Sequence, residues 1–69
     1  MMRMIPVSSS DLSAVGYENR ILYIRFHSGG TYAYSGVPES IYIGLLNASS
    51  KGQYFHANIR SVFPTRRIG

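Results

Sequence analysis

A chain of 69 residues has room for one domain with a thin core, since a domain of this size buries only roughly 60% of the surface its unfolded form exposes. The absence of cysteine excludes disulfides and thiolate zinc sites, and two histidines with three acidic residues, scattered along the chain, offer no metal cage and no sign of a cofactor. Seven Lys and Arg against three Asp and Glu leave a net charge of +4, which favours an anionic partner and speaks to binding rather than to fold. A hydrophobic fraction of 45% argues against disorder. No stretch approaches the ~18 apolar residues of a membrane span. The opening run Met1–Val7 is too short for a secretory core. Together these place the chain in the cytoplasm, with no membrane partner and with self-association as the expected supplement to its core.

In chain order, Ser8-Ser9-Ser10 ahead of Asp11-Leu12 suit a capped turn leading into a strand. Val15-Gly16-Tyr17 runs into a polar turn at Glu18-Asn19. From Arg20 to His27, Leu22, Ile24 and Phe26 alternate with Tyr23, Arg25 and His27, the period of a half-buried strand. Ser28-Gly29-Gly30 supplies the positive φ angles of a tight hairpin. Thr31–Ser35 is the returning strand, and Gly36-Val37-Pro38 stops it because proline cannot donate to a ladder.

The period then changes. Pro38 fits a first helical turn, with Glu39 placed to complement the helix dipole. Ile41, Tyr42, Leu45 and Leu46 form a stripe, and Gly44 weakens the helix by ~1 kcal/mol relative to alanine. Asn47-Ala48-Ser49 breaks it. Ser50 and Gln53 then match a capping box in which each side chain reaches the other's backbone N–H. Phe55, Ile59, Val62 and Phe63 share one face of this second helix, and Pro64 ends it. The predicted architecture is α+β: a small antiparallel β-meander of three to four strands followed by two short helices packed on one face, residues 1–69 forming a single domain.

Three groups of residues invite a functional reading. At the head of the second helix, Ser50, Lys51 and Gly52 combine free backbone N–H groups, a full positive charge and room for close approach, which suffices for an anion. The same residues equally describe a plain cap with Gly52 packed against the sheet. They are not a Walker loop, since the glycine-rich stretch and preceding strand are missing. Beyond them, His56 and Arg60 lie four apart on one side, and Arg66 and Arg67 extend past Pro64 on a short tail. With Lys51 these form either one basic stripe, whose binding would depend steeply on salt, or a solvated face opposite Phe55, Ile59 and Phe63. The third group is the six tyrosines. An even hairpin loop exposes Tyr32 and Tyr34 opposite Arg25 and Tyr23, whereas a three-residue loop buries both with Leu22, Ile24 and Phe26. His27-Ser28-Gly29 fits a type I turn closed by a left-handed glycine, which is the three-residue case. Tyr23 and Arg25 are then the exposed aromatic–basic pair. No catalytic set emerges: Ser8, Ser9 and Ser10 lie near no histidine in sequence, and Glu18 and Glu39 sit at separate turns.

Several segments are similar to the KTSC domain, found at the C-terminus of some lysyl-tRNA synthetases and as standalone bacterial and phage proteins. They are Ser9-Ser10-Asp11-Leu12 through Val15-Gly16-Tyr17, Phe26-His27-Ser28-Gly29-Gly30, the central Tyr32-Ala33-Tyr34, Gly36-Val37-Pro38, Ala48 through Phe55, and Ile59-Arg60. The resemblance implies RNA binding as a suggested role, no established activity and no catalytic residue. With no synthetase module in this sequence, a role in charging tRNA does not transfer. The expected function is a non-catalytic binding module for RNA or another nucleic acid. The alternatives are an oligomeric phage-type sponge for a small signalling nucleotide, and a protein-interaction module with an exposed apolar patch at Ile41, Tyr42 and Leu46.

Overall fold

The structure is a computed structural model and describes residues 3–69. The first two positions of the Met1–Val7 run lie outside the described residues. One antiparallel sheet is ordered as a meander: β1 (Ile5–Pro6), β2 (Leu12–Glu18), β3 (Ile21–Phe26), β4 (Thr31–Ser35), and finally β5 (Thr65–Arg67) beside β4. Between β4 and β5 the chain forms α1 (Glu39–Asn47) and α2 (Lys51–Asn58). The α+β class and the two helices on one face agree with the sequence pattern; the sheet has five strands.

Local chemistry sets each joint. Ser9 Oγ accepts from the backbone N–H of Asp11 and Leu12, both at 3.2 Å, and so caps the turn before β2. A bulge then separates Leu12, opposite Phe26, from Ala14, opposite Arg25. The extra residue turns Leu12 into the core although Ala14, two positions on, lies on the other face. The β2–β3 turn falls at Asn19-Arg20, one residue later than expected, with φ of 55° and 63°. Its position follows from register. Pairing Glu18 with Ile21 sets Tyr17 against Leu22 and Val15 against Ile24, and a slip by one would turn these apolar groups to the outer face.

At the next hairpin, Phe26 donates to the Gly30 carbonyl at 2.9 Å and its own carbonyl accepts from Gly29 at 3.0 Å. His27, Ser28 and Gly29 form the three-residue loop, with Gly29 at φ 117°. The register sets Leu22 against Tyr34 and Ile24 against Tyr32, so both tyrosines join the covered face, and Tyr34 is only 4% exposed.

The helices close over that face. Val37, Leu45, Phe55 and Ile59 meet Leu12, Val15, Leu22, Ile24 and Tyr34 in one core. Phe55 is its aromatic hub, edge-to-face with Phe26 at 5.4 Å and with Tyr34 at 5.5 Å. A methyl group on Gly44 would lie 2.7 Å from Cζ of Tyr54, so the glycine that weakens α1 also admits the α2 ring. Ser50 Oγ accepts from Gln53 N–H at 3.4 Å; the return bond from the Gln53 side chain is not among the hydrogen bonds of the described residues.

The second helix stops at Asn58, short of the expected Phe63. Phe55 O accepts from both Ile59 and Arg60, each at 3.0 Å, and Asn58 Nδ2 caps Tyr54 O at 3.2 Å, which closes the ladder. Val62 therefore lies 60% exposed in the following turn rather than on the apolar face.

Candidate functional site

On the helix side, the elements bring most of the predicted basic residues together. A polar cleft of about 400 Å³ is lined by Ser8, Ser9, Ser10, Ser50, Lys51 and His56, among others. At its floor the start of α2 is already provided for. Ser50 caps it, and Asp11 Oδ2 comes so close to Gly52 that a Cβ there would sit 2.8 Å away. Gly52 thus makes room for the chain's own carboxylate, which complements the positive end of the helix dipole. Lys51 Nζ donates to Ala48 O at 3.2 Å.

His56 links this cleft to a second one of about 490 Å³. The floor here is aromatic, from Phe26, Tyr32, Tyr34 and Phe55, and the rim carries His56 and Arg60. Arg60 Nη1 donates to His56 Nδ1 at 3.3 Å, which leaves the proton of a neutral His56 on Nε2. Arg67 lies over the Tyr32 ring, 5.9 Å from its centroid, and its Nε donates to Gly69 O at 2.9 Å. Burial pushes the Tyr34 hydroxyl above the usual tyrosine value of 10.0; Tyr32 adds to this and Arg60 opposes it.

The expected tail holding Arg66 and Arg67 is instead β5, and that changes their grouping. Adjacent strand residues point to opposite faces. Arg67 pairs with Tyr32 on the helix side, whereas Arg66 pairs with Ala33, which pairs with Tyr23. The single stripe from Lys51 to Arg67 therefore loses Arg66 and keeps Lys51, His56, Arg60 and Arg67. Arg66 joins Tyr23 and Arg25 on the face of the sheet that no helix covers.

Sequence patterning missed Tyr32 as the aromatic partner of Arg67, and Asp11 and His27 as neighbours of α2. His27 and Asp11 share a third cleft with His56, and the His27 ring bonds Ser9 O at 3.0 Å through Nε2. The Thr65–Ile68 run after Pro64 is long enough for the edge strand that brings Arg67 to Tyr32, but no apolar period marks it as one. Ile41, Tyr42 and Leu46, which only the protein-interaction alternative requires as an exposed patch, are half-buried against the core, and Tyr42 stacks on Tyr17 at 4.9 Å. Ile43 and Val62 are the exposed apolar residues of the helical half. Among the described residues, no helix is long and apolar enough to cross a membrane.

A five-stranded antiparallel sheet with one covered and one open face defines a small α+β domain. A family model described as the KTSC domain matches residues 8–63. A protein of Tsukamurella paurometabola is 39% identical over 62 residues, covering 87% of this chain and 92% of its own. A lysine–tRNA ligase of a Nostoc species is 39% identical over 61 residues, covering 86% of this chain but 11% of the ligase. The crystal structure of a KTSC domain protein from Yersinia pestis matches with a TM-score of 0.97 and 44% identity over 100% of both chains. The chain belongs to the KTSC domain family.

Proposed function

We propose that this domain is a non-catalytic binding module for a single strand of RNA or another nucleic acid. The observation that carries the reading is the aromatic-floored cleft of about 490 Å³ rimmed by His56 and Arg60, with Arg67 over Tyr32 and no carboxylate in its lining among the described residues. Arg60 bonds a ring nitrogen of His56 and no carboxylate, and Arg67 stands over the Tyr32 ring with its Nε on an oxygen of Gly69, which leaves Nη N–H groups on both guanidiniums for phosphate. The half-buried Phe26 and Tyr32 rings give the cleft an apolar floor, and the guanidinium planes of Arg60 and Arg67 offer stacking surfaces to a base of any identity. The clefts that follow one another from Lys51 through His56 to Tyr32 suit an extended strand better than one small nucleotide. The related stretch in Nostoc is part of a lysine–tRNA ligase, a protein named for an RNA.

The test is anisotropy of a labelled oligouridine across a salt series. Three phosphate contacts on this side, from Lys51, Arg60 and Arg67, contribute about −2 to the slope of log K against log salt, and the Arg60→Ala, Arg67→Ala double variant removes about 1.4 of that. Absence of binding in low salt would overturn the reading.

A further inference from the structure

We infer that the uncovered face of the sheet is a second contact site for the same strand, which reaches it by crossing the β5 edge. This rests on the nucleic-acid reading above. The first observation is the split of Arg66 and Arg67. Two neighbouring guanidinium groups straddle one short edge strand, one serving each face. A chain of phosphates that leaves Arg67 and rounds this edge next meets Arg66.

The second observation is what surrounds Arg66. A depression of about 420 Å³ is lined by Ile21, Tyr23, Ala33, Ser35, Arg66 and Ile68, together with Pro64 and Thr65. It exists because the β4 residues between Tyr23 and Arg66 are small. Ala33 stands between them in register, and Ser35 pairs with Ile21. Ile21 and Ile68 supply apolar walls, the half-buried Tyr23 an aromatic wall, and Arg66 the only charge in the lining among the described residues. One aromatic surface, apolar sides and one cation make a receptor for a base with its phosphate. Arg25 lies two residues from Tyr23 on the same face and prolongs the positive character toward β2. Glu18, the acid on this face, pairs with Ile21, which separates it from the depression.

Two weak contacts joined by one backbone act as a single strong one, provided the strand is long enough to span both. The domain then has a length threshold. An oligouridine of ~10 nucleotides engages both faces, and a uridine dinucleotide engages only one.

The experiment compares Tyr23→Ala, Arg66→Ala and Ala33→Leu with wild type on both probes, after thermal melts establish folding. Ala33→Leu fills the depression without altering charge. Each of the three should weaken the long oligonucleotide by about tenfold and leave the dinucleotide unchanged, and Arg66→Ala should flatten the long-probe salt slope by about 0.7. Tyr23→Phe keeps the ring and should bind as wild type. If the long probe binds all three variants as tightly as wild type, yet loses affinity for Arg60→Ala or Arg67→Ala, the second site is refuted and the first stands. If wild type binds neither probe, both fall. Should Ala33→Leu not fold, the surface variants Tyr23→Ala and Arg66→Ala decide.

Discussion

Arg20 holds a φ of 63° beside Asn19 at 55°, the two left-handed residues of a two-residue hairpin turn. Asparagine tolerates that region; a long side chain with a Cβ costs roughly 1–2 kcal/mol there. What the fold needs from Arg20 is its carbonyl, which accepts from Val37 N–H at 2.9 Å and ties the turn to the start of the helical half. Glycine preserves that bond and relieves the strain, against a loss of up to about 1 kcal/mol in unfolded-chain entropy. Arg20→Gly is therefore expected to raise stability by about 0.5–1 kcal/mol in urea denaturation; a fall would show that the arginine side chain supports the turn. The same scale explains why the Tyr32 and Tyr34 positions were legible. One glycine, Gly29, sets the loop length, the loop sets the register, and the register decides which face the rings take.

Among the elements, β3 and β4 could be read because their alternation reports burial on one face. Strand β5 could not: Thr65, Arg66 and Arg67 are all exposed, so no apolar period marks them. Their strand geometry comes from backbone pairing with β4, including Ser35 N–H to Pro64 O at 3.0 Å, a contact between segments far apart in sequence. The end of α2 was misplaced for a related reason. Phe55, Ile59 and Phe63 keep helical spacing, but both Ile59 and Arg60 turn to the Phe55 carbonyl and the ladder stops. These two elements account for the change in the candidate site. The basic residues were all visible, while their division between two faces depended on a strand stabilised only by distant partners. The α2 start shows the same limit, since Asp11 reaches Gly52 through the fold rather than through proximity in sequence.

For the molecule as a whole, a 69-residue domain holds a margin of only about 3–10 kcal/mol, so one perturbed ionisation is visible in global unfolding. Tyr34 lies in the core with its hydroxyl pushed above the ordinary tyrosine value, by burial first and Tyr32 second. The folded state favours the protonated form. Its contribution is fully present below the unfolded value near 10 and is lost as pH rises through the folded one. Burial shifts Tyr42 in the same direction. Stability should thus fall on going from neutral to strongly alkaline buffer, and Tyr34→Phe should make that decline shallower; an unchanged decline would show that Tyr34 does not contribute to it.

The account's central claim is that the helix-side groove takes up a strand of nucleic acid. The most direct measurement is a backbone-amide NMR titration of the wild-type domain with unlabelled oligouridine in low salt. The expected result is saturable shifts centred on Tyr32, His56, Arg60 and Arg67. Shifts confined to the outer side of α1 around Ile43, or a spectrum that does not change, would contradict it.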